Sequence, residues 1–111
     1  MAPQITLCIA TEFSETPGPR TREEGDFSGE QFLEELLLPR FKDAVSKGAQ
    51  LLVDLDGTEG YATSFLEAAF GELARRCDPA EVVKVIVLKS NDEPFLVEEV
   101  KKYIVEARKL R

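Results

Sequence analysis

The stretch LLVDLDGTEGYATSFLEAAFGEL, residues 51–73, decides the fold. It opens with Leu51 to Leu55, a nearly continuous apolar run interrupted only by Asp54, as expected of a strand covered on both faces. Such a strand belongs at the centre of a parallel sheet. The turn from Asp56 to Tyr61 follows, and then Phe65, Leu66, Ala69, Phe70 and Leu73 recur at helical spacing up to about Cys77. Strand, turn and helix in direct succession make half of a β-α-β unit, whose next strand must lie further along the chain.

Downstream, the valine-rich segment from Val82 to Leu88 reads as that next strand, with Asp78-Pro79 ending the helix before it. Pro94 opens a last helix with Phe95, Val97, Val100, Ile104 and Ala107 facing inward, and Glu98 and Lys102 form a supporting pair. Upstream, Ile5, Leu7 and Ile9 alternate within a first strand, Ile5 to Ala10. Thr11 to Phe27 carries Pro17, Gly18, Pro19 and Gly25 among charges, a long irregular stretch of the kind that often carries function. Ser28 and Gln31 have capping-box spacing ahead of Phe32, Leu33, Leu36 and Leu37, so a helix begins near Gly29. Pro39 must kink that helix or restart it before Phe41, Ala44 and Val45, and Gly48 terminates it. Strand and helix therefore alternate three times. That order predicts one α/β domain over residues 1–111, a mainly parallel sheet with right-handed crossovers and helices as cover.

Composition narrows the function. With 111 residues, 43% hydrophobic and 32% charged, the chain is the size of a single core and can fill it. Its apolar runs are far shorter than the ~20 residues of a membrane helix. The start, Met1 to Ile5, lacks the features of a secretion signal, which makes the cytoplasm the expected compartment. A net charge of −7 repels phosphate backbones, so nucleic acid is not an expected partner. The absence of histidine removes Ser-His-Asp and Cys-His catalysis. Cys8 and Cys77 lie in apolar patterns and read as small buried hydrophobes, too few for a disulfide framework or a closed zinc site. No cofactor is implied.

Residues 51–73 place carboxylates and then hydroxyls at and beyond the carboxyl end of a central strand, where ligands and modifications gather in α/β sheets. Two resemblances bear on them. Asp54-Leu55-Asp56-Gly57-Thr58 resembles the opening motif of haloacid-dehalogenase-type phosphatases. That likeness implies a magnesium-dependent phosphohydrolase with Asp54 as nucleophile and metal ligand, Asp56 as acid/base and Ser90 as phosphate-binding hydroxyl. Only residues 59–111 follow the motif, too few for the rest of that family's sheet, its lysine and its final acidic pair. Asp56-Gly57 is also ordinary turn chemistry.

The second resemblance is to the anti-sigma-factor antagonists, the bacterial STAS domains, in which a strand leads through a short loop to Asp-Ser-Ser-Gly-Leu at a helix start. Ala62-Thr63-Ser64-Phe65-Leu66 occupies that place, with Ala62 in place of the aspartate and Phe65 in place of the glycine. The likeness implies phosphorylation of Ser64, or of its neighbour Thr63, by a partner kinase. Ser64 and Glu67 also have capping-box spacing, so the Ser64 hydroxyl alternatively caps the helix by accepting from the amide of Glu67. Across most of its length the chain resembles more closely a group of uncharacterised bacterial proteins described as STAS-like. The shared residues are Pro19-Arg20, Gly25, Ser28-Gly29-Glu30 with Phe32, then Tyr61 to Leu66 with Phe70-Gly71. This resemblance implies a STAS-like fold and a non-enzymatic signalling or protein-interaction module, with a protein partner such as an ATP-binding kinase or regulator. A dimerisation domain is a third reading, which needs an exposed apolar patch.

One further loop has chemistry of its own. Arg20 and Arg22, beside the helix start at Ser28-Gly29, offer guanidinium and backbone donors that suit an anion or a partner. The alternative is a solvated charged loop, as is the acidic face formed by Glu98, Glu99 and Glu106.

Overall fold

The computed structural model describes residues 3–107. Three strands, β1 (Gln4–Cys8), β2 (Gln50–Asp54) and β3 (Ile86–Lys89), form one parallel sheet in the order β1-β2-β3. Strands that succeed one another in space as in sequence, joined by right-handed crossovers, put their connecting helices on the same side. The burial follows this rule. Leu7, Leu51 and Val53 share the covered face and are fully buried, whereas Thr6 is exposed and Leu52 and Val87, in register with it, are half-buried. The apolar run of β2 predicted cover on both faces; the structure supplies it on one, and adds Leu55 to the core just past the strand.

A single helical turn, α1 (Ile9–Glu12), ends β1 earlier than the alternation of Ile5, Leu7 and Ile9 suggests, because Ile9 is buried as the first residue of that turn. Helix α2 spans residues 29–46. Its Ser28 N-cap accepts from the Gln31 amide at 3.0 Å. Leu33–Leu37 form a π-helical turn just before Pro39, with the Leu38 amide reaching back to the Leu33 carbonyl. Proline lacks an N–H and its ring crowds the carbonyl four residues back, so widening the preceding turn carries the helix through without a break. Helix α3 spans residues 63–76, with a second π-helical turn at Glu67–Gly71. The faces of these helices meet in an aromatic core in which Phe32 stacks on Phe65 with centroids 5.8 Å apart.

The C-terminal third corrects two expectations. Helix α4 occupies Pro79–Val85, so β3 begins at Ile86 rather than at Val82. Asp78-Pro79 does end α3, but it also starts α4: the Asp78 carboxylate accepts from the Ala80 amide and Pro79 sits in the first turn. These start signals outweigh the β-propensity of Val82, Val83 and Val85. In the last helix, α5 (Phe95–Glu106), Leu96 is buried and Phe95 is 60% exposed, so the inward register expected for Phe95 belongs to its neighbour. Val100, Ile104 and Ala107 face the core as their spacing predicts. No helix among the described residues is long and apolar enough to cross a membrane.

Candidate functional site

The carboxyl ends of β2 and β3 and the start of α3 come together at one end of the sheet, the end at which α/β folds place ligands. The chain leaves β2 through Asp54, whose Oδ1 accepts from the Asp56 amide at 2.9 Å. Gly57 then reverses the backbone with φ of 90°, a conformation open to glycine. Asp56 reaches across to the loop after β3, where its Oδ1 accepts from the amides of Asn91 at 2.7 Å and Asp92 at 2.8 Å. Asp92 returns the contact by accepting from the Gly57 amide at 3.1 Å. Asp54 Oδ2 faces Lys89 Nζ at 3.8 Å. Of the two carboxylates of the phosphatase-like motif, Asp56 thus holds the βα loops to each other, while Asp54 closes its own turn and faces β3. Ser90 is buried, and its hydroxyl donates to the Glu93 carbonyl at 2.7 Å, closing the turn into α5. Among the described residues no group of three carboxylates or thiols is placed to hold a metal ion.

The start of α3 is built differently from its sequence pattern. Ala62 is the N-cap, its carbonyl accepting from the amides of Phe65 and Leu66, and no side chain caps the first turn. Ser64 is therefore the second helical residue, and its hydroxyl does not form the expected bond to the Glu67 amide. Thr63 is exposed and Ser64 half-buried. Tyr61 anchors the approach to the helix by donating its hydroxyl to the Leu55 carbonyl at 2.8 Å, and burial raises the pKa of that hydroxyl. On the other side Tyr103 of α5 stands by Thr63 and donates to Glu99 at 3.2 Å. The outcome is a helix start flanked by two hydrogen-bonded tyrosines, whose own two hydroxyls make no cap.

The loop before α2 packs beside this helix start and is closed by its own charges. The amide of Gly29 donates to the Pro19 carbonyl at 2.8 Å and that of Glu30 to the Arg20 carbonyl at 3.0 Å. With Ser28 buried and bound to Gln31, the first-turn donors expected to cradle an anion are engaged within the chain. Arg20 binds Glu67 at 2.6 Å, and Arg22 binds Glu34 and Glu35. Glu34 meets Arg76, Arg76 and Arg75 share Glu72, and Arg75 binds Glu67 at 2.8 Å. A continuous alternation of guanidinium and carboxylate groups therefore staples the loop to α2 and α3. Burial raises the Glu67 carboxyl, but its bonds to Arg75 and Arg20 outweigh that and hold it below the usual range.

The role that sequence reasoning missed is that of Glu67 and Gly71 together. A β-carbon on Gly71 would collide with Glu67 Oε2, so the glycine makes room for the carboxylate that joins loop to helix. The signal in the sequence was the four-residue spacing of Glu67 and Gly71. Cys8 and Cys77 are only half-buried, less enclosed than their apolar surroundings suggested, and burial raises the Cys77 thiol.

A family model described as a STAS-like domain of unknown function (DUF4325) matches residues 28–95, more than half of the chain. The matched region runs from the cap of α2 to the first residue of α5 and contains the start of α3 and both βα loops described above. No curated protein and no solved structure matches the chain.

Proposed function

Because the chain belongs to the STAS-like family, we propose that it is a non-enzymatic protein-interaction module whose docking surface is centred on the start of α3 and is switched by phosphorylation of Ser64. The observation that carries this reading is the uncapped first turn of α3. A serine that caps a helix has its oxygen engaged by the fold, whereas the Ser64 hydroxyl has no such duty. Thr63, one residue earlier and more exposed, is the second candidate.

A phosphate at Ser64 adds a charge of about −1.5 to −2 at a helix N-terminus, where the backbone dipole favours an anion. The partner then meets a changed surface, one helical turn from Glu67. A partner of the ATP-binding kinase or regulator type supplies both the phosphoryl donor and the recognition. The test uses wild type and Ser64→Asp as baits under identical conditions in cells of the source organism. A protein retained by one bait and lost by the other supports the switch; identical retention by both overturns it.

A further inference from the structure

The two hydroxyls at the start of α3 have different neighbours. Thr63 stands beside Tyr103 of α5, whose hydroxyl donates to Glu99 at 3.2 Å. Ser64 belongs to another face. Counting three and four residues on from Ser64 reaches Glu67 and Ala68, which lie below it on the helix surface. The loop before α2 meets both of these residues. Arg20 donates to Glu67 at 2.6 Å, and Gly29, whose amide donates to the Pro19 carbonyl, packs on Ala68. The loop is therefore seated on the helical turn that directly follows Ser64.

Arg20 is the side chain of that loop placed to answer a charge on Ser64. Among the described residues its guanidinium is engaged by Glu67 alone, and the side chain is 45% exposed. Glu67 does not depend on it. Arg20 binds Glu67 Oε1, whereas Arg75 donates to Oε2 at 2.8 Å, so the carboxylate stays paired when Arg20 turns away.

Resting on the reading of Ser64 given above, we propose that Arg20 is the residue that senses its phosphorylation: the phosphate draws the guanidinium from Glu67 to itself, and the loop moves with it. The modified residue forms when Ser64 Oγ takes the terminal phosphoryl group of a nucleoside triphosphate held by the partner kinase; the nucleoside diphosphate leaves and the hydroxyl proton is released. Residues three apart on a helix have β-carbons about 5 to 6 Å from each other, which puts the new phosphate within the swing of the Arg20 side chain. The exchange is favoured by charge. A phosphate carries about −1.5 to −2 and takes a guanidinium through two parallel hydrogen bonds, while Glu67 carries one charge and keeps Arg75. Placing Arg20 between phosphate and carboxylate also screens their mutual repulsion. The signal then extends from one side chain to the loop.

The test needs no partner. The full chain is made with phosphoserine encoded at residue 64, and the second ionisation of the phosphate, ordinarily near about 6, is followed by phosphorus NMR. The expected midpoint is about one pH unit lower in the otherwise wild-type chain than with Arg20→Gln, because a cation in contact favours the dianion. Should Arg20→Gln fail to fold, the Arg20 Nε–H resonance of the phosphorylated wild-type chain decides: it follows the same midpoint as the phosphate. Equal midpoints with and without Arg20, or an Arg20 resonance that ignores the phosphate, overturn the proposal. Either result leaves the partner switch at Ser64 standing, since partner affinity is measured separately, and equal partner affinities would remove the switch without touching the Arg20 response.

Discussion

Gly29 opens α2 directly against the backbone carbonyl of Phe65, so closely that a β-carbon at residue 29 would lie 2.5 Å from that oxygen and 2.9 Å from the Ala68 β-carbon. This contact joins the two motifs that carry the family likeness, Ser28-Gly29-Glu30 and Tyr61 to Leu66. One is the socket of the other. It also fixes the start of α3 to the loop stapled by Arg20 and Glu67, and so holds Ser64 in one place.

Gly29→Ala is expected to destabilise the domain by about 1 to 3 kcal/mol, because the clash is with backbone that cannot step aside. Gly48 offers the comparison: it has φ of 64°, but a β-carbon added there would meet nothing within 4 Å, so Gly48→Ala costs only the left-handed backbone, about 1 kcal/mol. Chemical denaturation of both variants checks the order.

The caps give a second contrast. Ser28→Ala removes the hydroxyl that accepts from Gln31 and should cost about 0.5 to 2 kcal/mol. Ser64→Ala removes no cap and should stay within about 0.5 kcal/mol of wild type. Equal losses in the two variants would restore the capping role to Ser64.

A third prediction concerns the carboxylates that resemble a phosphatase motif. Asp56→Ala strips two amides of their acceptor and should cost about 1 to 3 kcal/mol, with hydrogen exchange rising at Asn91 and Asp92. The purified chain is expected to show no magnesium-dependent turnover of an aryl phosphate. Turnover abolished by Asp54→Asn would reverse that reading.

Acid should unlock the charge staple. Glu12 is held low by its bond to Arg40; Glu67 and Glu72 are held low although burial opposes it, by their bonds to arginines. A carboxyl with a depressed folded pKa contributes stability that is present above its unfolded value, about 4.5, and is lost as pH falls through the folded value. Stability should therefore decline with falling pH below that point, and less steeply in Glu67→Gln. Parallel declines in the two proteins would show that Glu67 is not a principal source of the acid sensitivity.

Much of this was legible in the sequence. Alternation, apolar runs and the Ser28 cap located β1, β2 and the start of α2, because each rests on contacts local to its own segment. The strand expected at Val82 was misplaced because valine reports a preference for pleated surfaces, while the Asp78-Pro79 pair nucleated a helix through those residues. The Ser64 cap failed for a related reason: Tyr61 anchors to Leu55 and sets where the helix begins, too early for Ser64 to cap. What the sequence could not carry was pairing across distance. Glu67 reaches Arg20 over 47 residues, and Asp56 reaches the Asp92 amide over 36.

The measurement that bears most directly on the switch is calorimetry of the recovered partner with wild type, Ser64→Ala and Ser64→Asp. The proposed control at Ser64 predicts that Ser64→Ala keeps the wild-type affinity and Ser64→Asp changes it by about tenfold or more, equivalent to about 1.4 kcal/mol, with all three proteins equally folded. Three equal affinities would contradict it.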